Sequence, residues 1–104
     1  MLKVYDVAIE MLRELAPVIG QIEKRDVDLA RQLRRASSSV ALNMAEGSGS
    51  RGGIRNARYR SALGSARETR ACLDVAAAFG YCQTGQNVRG RLNVVGVTLW
   101  KLTL

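Results

Sequence analysis

The sequence predicts an all-α protein, an antiparallel up-down four-helix bundle, and three observations carry that prediction. Apolar residues recur at steps of three and four in four successive segments, the mark of amphipathic helices. Pro17 is the only proline. No stretch alternates apolar and polar residues for long enough to read as a strand. Four such helices on short links bury their stripes most economically against one another. The 104 residues suit one domain spanning 1–104, and 47% apolar with 24% charged residues is the balance of a folded soluble protein. Aromatic residues make up only 5%, so the core must be built from Leu, Val, Ile and Ala.

The first segment covers residues 2–25, with a stripe of Leu2, Tyr5, Ile9, Leu12, Ala16 and Ile19. Pro17 lacks an N–H, so it either ends this helix near Leu15 or bends it on the way to Arg25. Asp26 and Asp28 suit the start of a second helix, since acidic groups there accept from free amides and complement the helix dipole. That helix, over 28–48, turns Leu29, Leu33, Ala36, Val40 and Met44 inward with Asn43 beside them, and Arg31, Arg34 and Arg35 outward. Beyond Arg35 the chain reads "ASSSVALNMAEGSGS", slim enough for close approach in a bundle interior or a subunit contact. A third helix over 54–80 carries Leu63, Ala66, Leu73, Ala77 and Phe79, and Gly80 suits its C-terminal stop. The fourth, over 86–102, spaces Val88, Leu92, Val95, Leu99 and Leu102 like a heptad seam.

Gly47, Gly49 and Gly52 fall in G-x-G-x-x-G spacing, the pattern of a dinucleotide-binding turn. That turn needs a strand before it and an acid about twenty residues after it for the ribose. Here a helix precedes, and Glu68 and Asp74 both belong to a helical pattern. Gly53 and Ile54 stand where a Walker loop has Lys and Ser or Thr. The run is read as a corner between helices.

Enzymatic chemistry has no supporting constellation. There is no histidine, which removes the usual base near neutral pH and every Ser–His or Cys–His pair within one chain. Cys72 and Cys82 are too few for a metal site or a disulfide scaffold, and read as small hydrophobes. Neither metal nor cofactor is expected. Asp6 and Glu10 within the opening apolar pattern argue against a secretory signal, and no uncharged run approaches the roughly 20 residues of a bilayer span. A cytoplasmic protein is expected.

The stretch "QLRRASSSVALNMAEGSGSRGGIRNARYRSALGSARETRACLDVAAAFGY" carries a resemblance. Gln32 to Ala36, Asn43 to Gly47, Ala62 to Ser65 with Glu68, and Phe79 to Tyr81 resemble, in order, the blocks of a bacterial four-helix-bundle family. That family is named for open reading frames in 23S rRNA intervening sequences, and the accessory variability protein of diversity-generating retroelements is a relative. The resemblance implies a four-helix protomer, a cyclic homopentamer, and a nucleic-acid role alongside a partner such as a reverse transcriptase. It also implies that Asn43, Glu46, Gly47 and Glu68 belong to the family's structural motif. Two departures stand out: Ala41 where relatives often have proline, which favours a straighter second helix, and "GGIRNARYR" where many carry a lysine and an acidic–aromatic pair.

The charge is uneven in a way that needs no family to see. The net charge is +7, and residues 31–70 hold nine arginines against Glu46 and Glu68 alone. Arg51, Arg55 and Arg58 are spaced to share one side of the corner and third helix, with Arg60 and Arg67 on another. Guanidinium forks match phosphate oxygens and stack on bases. Arg31, Arg34, Arg35, Arg51, Arg55, Arg58, Arg60 and Arg67 are therefore the candidate contacts to RNA or DNA, helped by free amides at the third helix's start. Structural ion pairs with these arginines are the expected role of Glu46 and Glu68. The alternative is a scaffold whose basic surface docks an acidic or nucleoprotein partner.

Overall fold

Four helices form in the expected order: α1 (Lys3–Glu23), α2 (Val27–Ser48), α3 (Gly52–Ala78) and α4 (Gln86–Leu102). They belong to a computed structural model that describes residues 3–83 and 86–104. Each helix packs against its neighbours in sequence, and α4 closes the square on α1. Cross-helix pairs fix the directions. Glu46 meets Arg58 while Ser39 meets Ser65, so α2 and α3 are antiparallel.

The helix ends follow local chemistry. Asp26 is extended (φ −158°) and its carboxylate accepts from Leu29 N at 2.9 Å, so it caps α2 while Asp28 lies in the first turn. Gly80, at φ +73°, takes the left-handed turn that closes α3. There Tyr81 N donates to Ala76 O and Gly80 N to Ala77 O, the paired bonds of a Schellman stop. Tyr81 packs on the core, Phe79 stacks on it at 5.4 Å, and the Arg25 guanidinium lies 5.6 Å from the Tyr81 ring centre. α3 begins two residues before its expected start. α1 runs unbroken through Pro17, so of the two alternatives the helix continues.

The core matches expectation best in α2, where Leu33, Ala36, Val40 and Met44 are buried and Leu29 half-buried. In α1 the reading needs a correction. The buried line is Val4, Ala8, Met11, Leu15, Ile19 and Ile22; Tyr5, Ile9 and Leu12 flank it, and Ala16 is exposed. A helix packed against two neighbours has a wide apolar face, and the sequence stripe traced its edge, about one residue away from its centre. Leu2 lies outside the described residues. In α3, Ala66 and Leu73 are buried and Leu63 half-buried, but Ala77 and Phe79 are exposed. Phe79 sits in the turn-forming cap, past the last helical contact. In α4 Val88, Leu92, Val95 and Leu99 are buried, whereas Leu102, the last helical residue, is exposed. The seam ends with the helix.

The α2–α3 contact is the most extensive in the molecule. A Cβ added to Gly47 would lie 2.5 Å from Tyr59 Cε1, so the Tyr59 ring of α3 lies on the α2 backbone where only glycine fits. The two fully buried polar side chains of these helices bond to their own backbones: Ser37 Oγ donates to Leu33 O and Thr69 Oγ1 to Ser65 O, both at 2.8 Å, while Asn56 Oδ1 on α3 is buried without a partner among the described residues.

Two free cysteines complete the core, Cys72 and Cys82. Burial, reinforced by the Glu68 carboxylate, pushes the Cys72 thiol up; burial also raises Cys82, against the opposing pull of Arg89. Both thiols are expected to react slowly with a disulfide reagent in the native protein and fast in denaturant, read as thiolate release over time. A raised folded value means that the thiol form stabilises the fold below the ordinary thiol value of 9.0 and that this contribution fades above it. The urea midpoint should fall as pH rises past that point. Gly47→Ala is expected to cost about 1–3 kcal/mol through overpacking against Tyr59. Gly20→Ala, at an exposed helical site with nothing within 4 Å, should gain about 0.5–1 kcal/mol. Paired urea melts check both.

Candidate nucleic-acid interface

All eight candidate arginines are exposed, because the positions that α2 and α3 turn inward are taken by apolar or small side chains. They surround α3 on two sides and meet at the corner. Arg31, Arg34, Arg35 and Arg58 line the grooves along the α2–α3 face. Arg51 and Arg55 sit at the corner. Arg67 lies on the opposite flank, in the α3–α4 cleft, with Arg60 two turns before it.

The acids sort these groups into engaged and free. Arg34 meets Glu23 at 3.3 Å, Arg58 meets Glu46 at 3.0 Å, and Arg31 reaches Asp28 at 3.9 Å. Arg55 Nε donates to Ser50 O at 3.0 Å, which anchors the side chain to the corner and leaves its charge unneutralised. Arg35, Arg51, Arg60 and Arg67 have no acidic partner among the described residues. The engaged pairs are solvent-exposed, with Arg58 and Glu46 at 48% and 60% exposure, so each is worth about 0–1 kcal/mol and yields easily to a better anion.

The glycine corner is built to leave amides open. Gly49 caps α2, and Gly52 turns the chain through φ +57° into α3. Arg51 is the N-cap of α3, extended and without a side-chain cap bond, so the first amides of α3 have no side-chain acceptor. The first backbone bond of that end is Arg55 N to Arg51 O at 3.4 Å. A helix precedes the run, as the corner reading expected, and not the strand of a dinucleotide fold.

The motif residues have distinct placements. Asn43 is half-buried and its amide donates to Ser39 O at 3.0 Å and to Ser39 Oγ at 2.9 Å, while Ser65 Oγ donates to the same Ser39 Oγ. This small network ties α2 to α3. Glu46 makes the expected ion pair. Glu68 does not: it is exposed, without an ion pair among the described residues, in a groove of about 560 Å³ with Arg31, Gln32, Arg35, Ser39 and Ser65. No basic group of the described residues comes within 4.0 Å of its carboxylate. Its field nonetheless reaches Cys72.

Sequence reasoning missed Arg70 and left Trp100 unplaced. Arg70 is exposed, has no acidic partner among the described residues, and joins Arg67 in the α3–α4 cleft. Its three-residue step from Arg67 was the available signal. Trp100, half-exposed, lines the same cleft. Among the described residues no cluster of three or more His, Cys, Asp or Glu could hold a metal, and no helix is long and apolar enough to cross a membrane.

A family model for the 23S rRNA-intervening sequence protein matches residues 1–99. The chain belongs to this family. Comparison with curated proteins and with solved structures gave no match. The family match spans α1, α2 and α3 and reaches Leu99 in α4, so it takes in every candidate residue of the interface.

Glu46→Gln is expected to leave stability within about 1 kcal/mol of the parent, because the lost pair is exposed. It should tighten binding to a polyanion by releasing Arg58. Thermal melts and a heparin-column elution profile test the two halves of that statement.

Proposed function

We propose that the protein is a non-enzymatic, oligomeric helical bundle that binds the phosphate backbone of RNA or DNA through its arginine surface, without strong sequence specificity. The observation that carries this reading is the set of exposed guanidinium groups with no acidic partner among the described residues: Arg35, Arg51, Arg60, Arg67 and Arg70. Arg31, Arg34, Arg55 and Arg58 stand beside them, held by contacts weak enough to exchange for a phosphate. The open amides of Gly52, Gly53 and Ile54 add an anion-favouring helix start between Arg51 and Arg55. Membership of a family named for an rRNA insertion agrees with an RNA partner. An oligomer of this chain, a ring of five by resemblance, would repeat the cationic surface around its axis and raise the local potential.

Contacts of this kind position a nucleic acid and carry little sequence information. Five neutralised phosphates predict a log–log salt slope of about −4.5 for duplex DNA, or an affinity loss of about 500-fold between 50 and 200 mM salt. Fluorescence anisotropy with unrelated oligonucleotides across a salt series measures the slope. Absence of binding at the lowest salt would refute the proposal, and a flat salt series would refute its electrostatic basis. Combined Arg35→Glu, Arg51→Glu and Arg60→Glu should abolish binding at 100 mM salt while the helical circular dichroism persists. Survival of binding would favour the scaffold reading, in which the same surface docks an acidic or nucleoprotein partner such as a reverse transcriptase.

A further inference from the structure

The cleft between α3 and α4 combines features that a phosphate contact alone does not need. Its floor is apolar, built from Leu63, Ala66, Leu92 and Val97, with Gly96 keeping one wall low. Trp100 stands at 50% exposure where an unused indole would ordinarily be covered. Arg67 and Arg70 flank the opening with no acidic partner among the described residues, and Asn93 supplies an amide. No acidic side chain lines the cleft.

From these we infer that the α3–α4 cleft is a stacking subsite for an unpaired nucleobase of a single-stranded nucleic acid, whose flanking phosphates lie on Arg67 and Arg70. The inference rests on the nucleic-acid reading above and adds strand preference to it. Size supports a base: the cleft holds about 230 Å³, below the roughly 300–1,000 Å³ of a pocket for a drug-sized ligand, and suits one planar ring system. Charge supports a polyanion over a free apolar ligand, since both ionic groups at the rim are cationic. Stacking on an indole beside guanidinium groups is also the usual physics of single-strand binding, because every base offers a π-face. A base within a duplex is already stacked and cannot enter without flipping, so the cleft discriminates against double strands.

Trp100 is the only tryptophan, so its fluorescence reports on this cleft alone. The experiment titrates the full chain with a mixed-sequence 15-nucleotide single strand and with the blunt duplex of the same length. Anisotropy of a labelled strand and tryptophan emission are read together. The expected result is quenching of Trp100 by the single strand, less by the duplex. Trp100→Ala should weaken single-strand binding by about 5- to 150-fold while duplex affinity stays within twofold, and Trp100→Phe should restore most of the loss. Trp100→Ala is half-exposed in origin, and an unchanged helical circular dichroism excludes unfolding as the cause. Binding by anisotropy with unchanged Trp100 emission, or equal losses for both strands, would overturn the stacking subsite and leave the backbone reading standing. Emission that shifts with protein concentration alone, and no longer responds to the single strand, would overturn it by showing that a second copy covers the cleft. Absence of any binding at low salt would overturn both.

Discussion

The close approach of α2 and α3 at Gly47 and Tyr59 is the constraint on which the rest of the molecule depends. The Tyr59 ring packs on the bare backbone of Gly47, and Ala36, Ser37, Val40, Ala41, Ala62 and Ala66 lie buried with Leu33, Met44 and Leu73 along these two helices. Those apolar and small groups fill the interior, so every arginine of α2 and α3 is turned outward. Surface charge here is a by-product of core geometry. The same constraint explains why the motif polar groups are short: Ser39, Asn43 and Ser65 reach one another across the seam, where longer amides would push it open.

Helix packing also decides which arginines are available. Most acids lie on α1 and at the ends of α2, and there they engage the guanidinium groups within reach: Glu23 holds Arg34, Asp28 holds Arg31 and Glu46 holds Arg58. On α3 itself, Asp74 is held by Arg89 of α4 and Glu68 lies in the groove on the α2 side, so neither pairs with an arginine of α3. Arg67 and Arg70 keep their full charge beside the apolar cleft, as does Arg60 two turns before Arg67. The asymmetry between an engaged α2 flank and a free α4 flank follows from where nine acids fall in the chain, and no charge count by segment displays it.

Much of the fold was legible in the sequence because helical periodicity, caps and breakers are local signals. Gly80 was readable as a stop because only a residue at ease with positive φ fits there, and Asp26 as a cap because its side chain serves an amide three residues on. The α1 stripe was misplaced because a helix facing two neighbours has two overlapping apolar lines, and choosing between them needs the neighbours' positions. The surface arginines were legible as a group, since charge clustering is a property of sequence. Helical spacing also put Arg58 and Arg67 on different sides of α3, but which neighbour each side faces, Glu68's freedom and Arg70's company with Trp100 depend on how the helices meet.

The first and last helices pack directly on one another, and the Arg91–Glu14 pair, separated by 77 positions, lies where α4 meets α1. The other extensive helix contacts join sequence neighbours, so the central hairpin can assemble before the ring is complete. Bringing α4 home is then the long-loop step, with an entropic cost that grows only as the logarithm of the intervening length. The last helix is a latch on a prebuilt hairpin, and it is the latch that carries the indole.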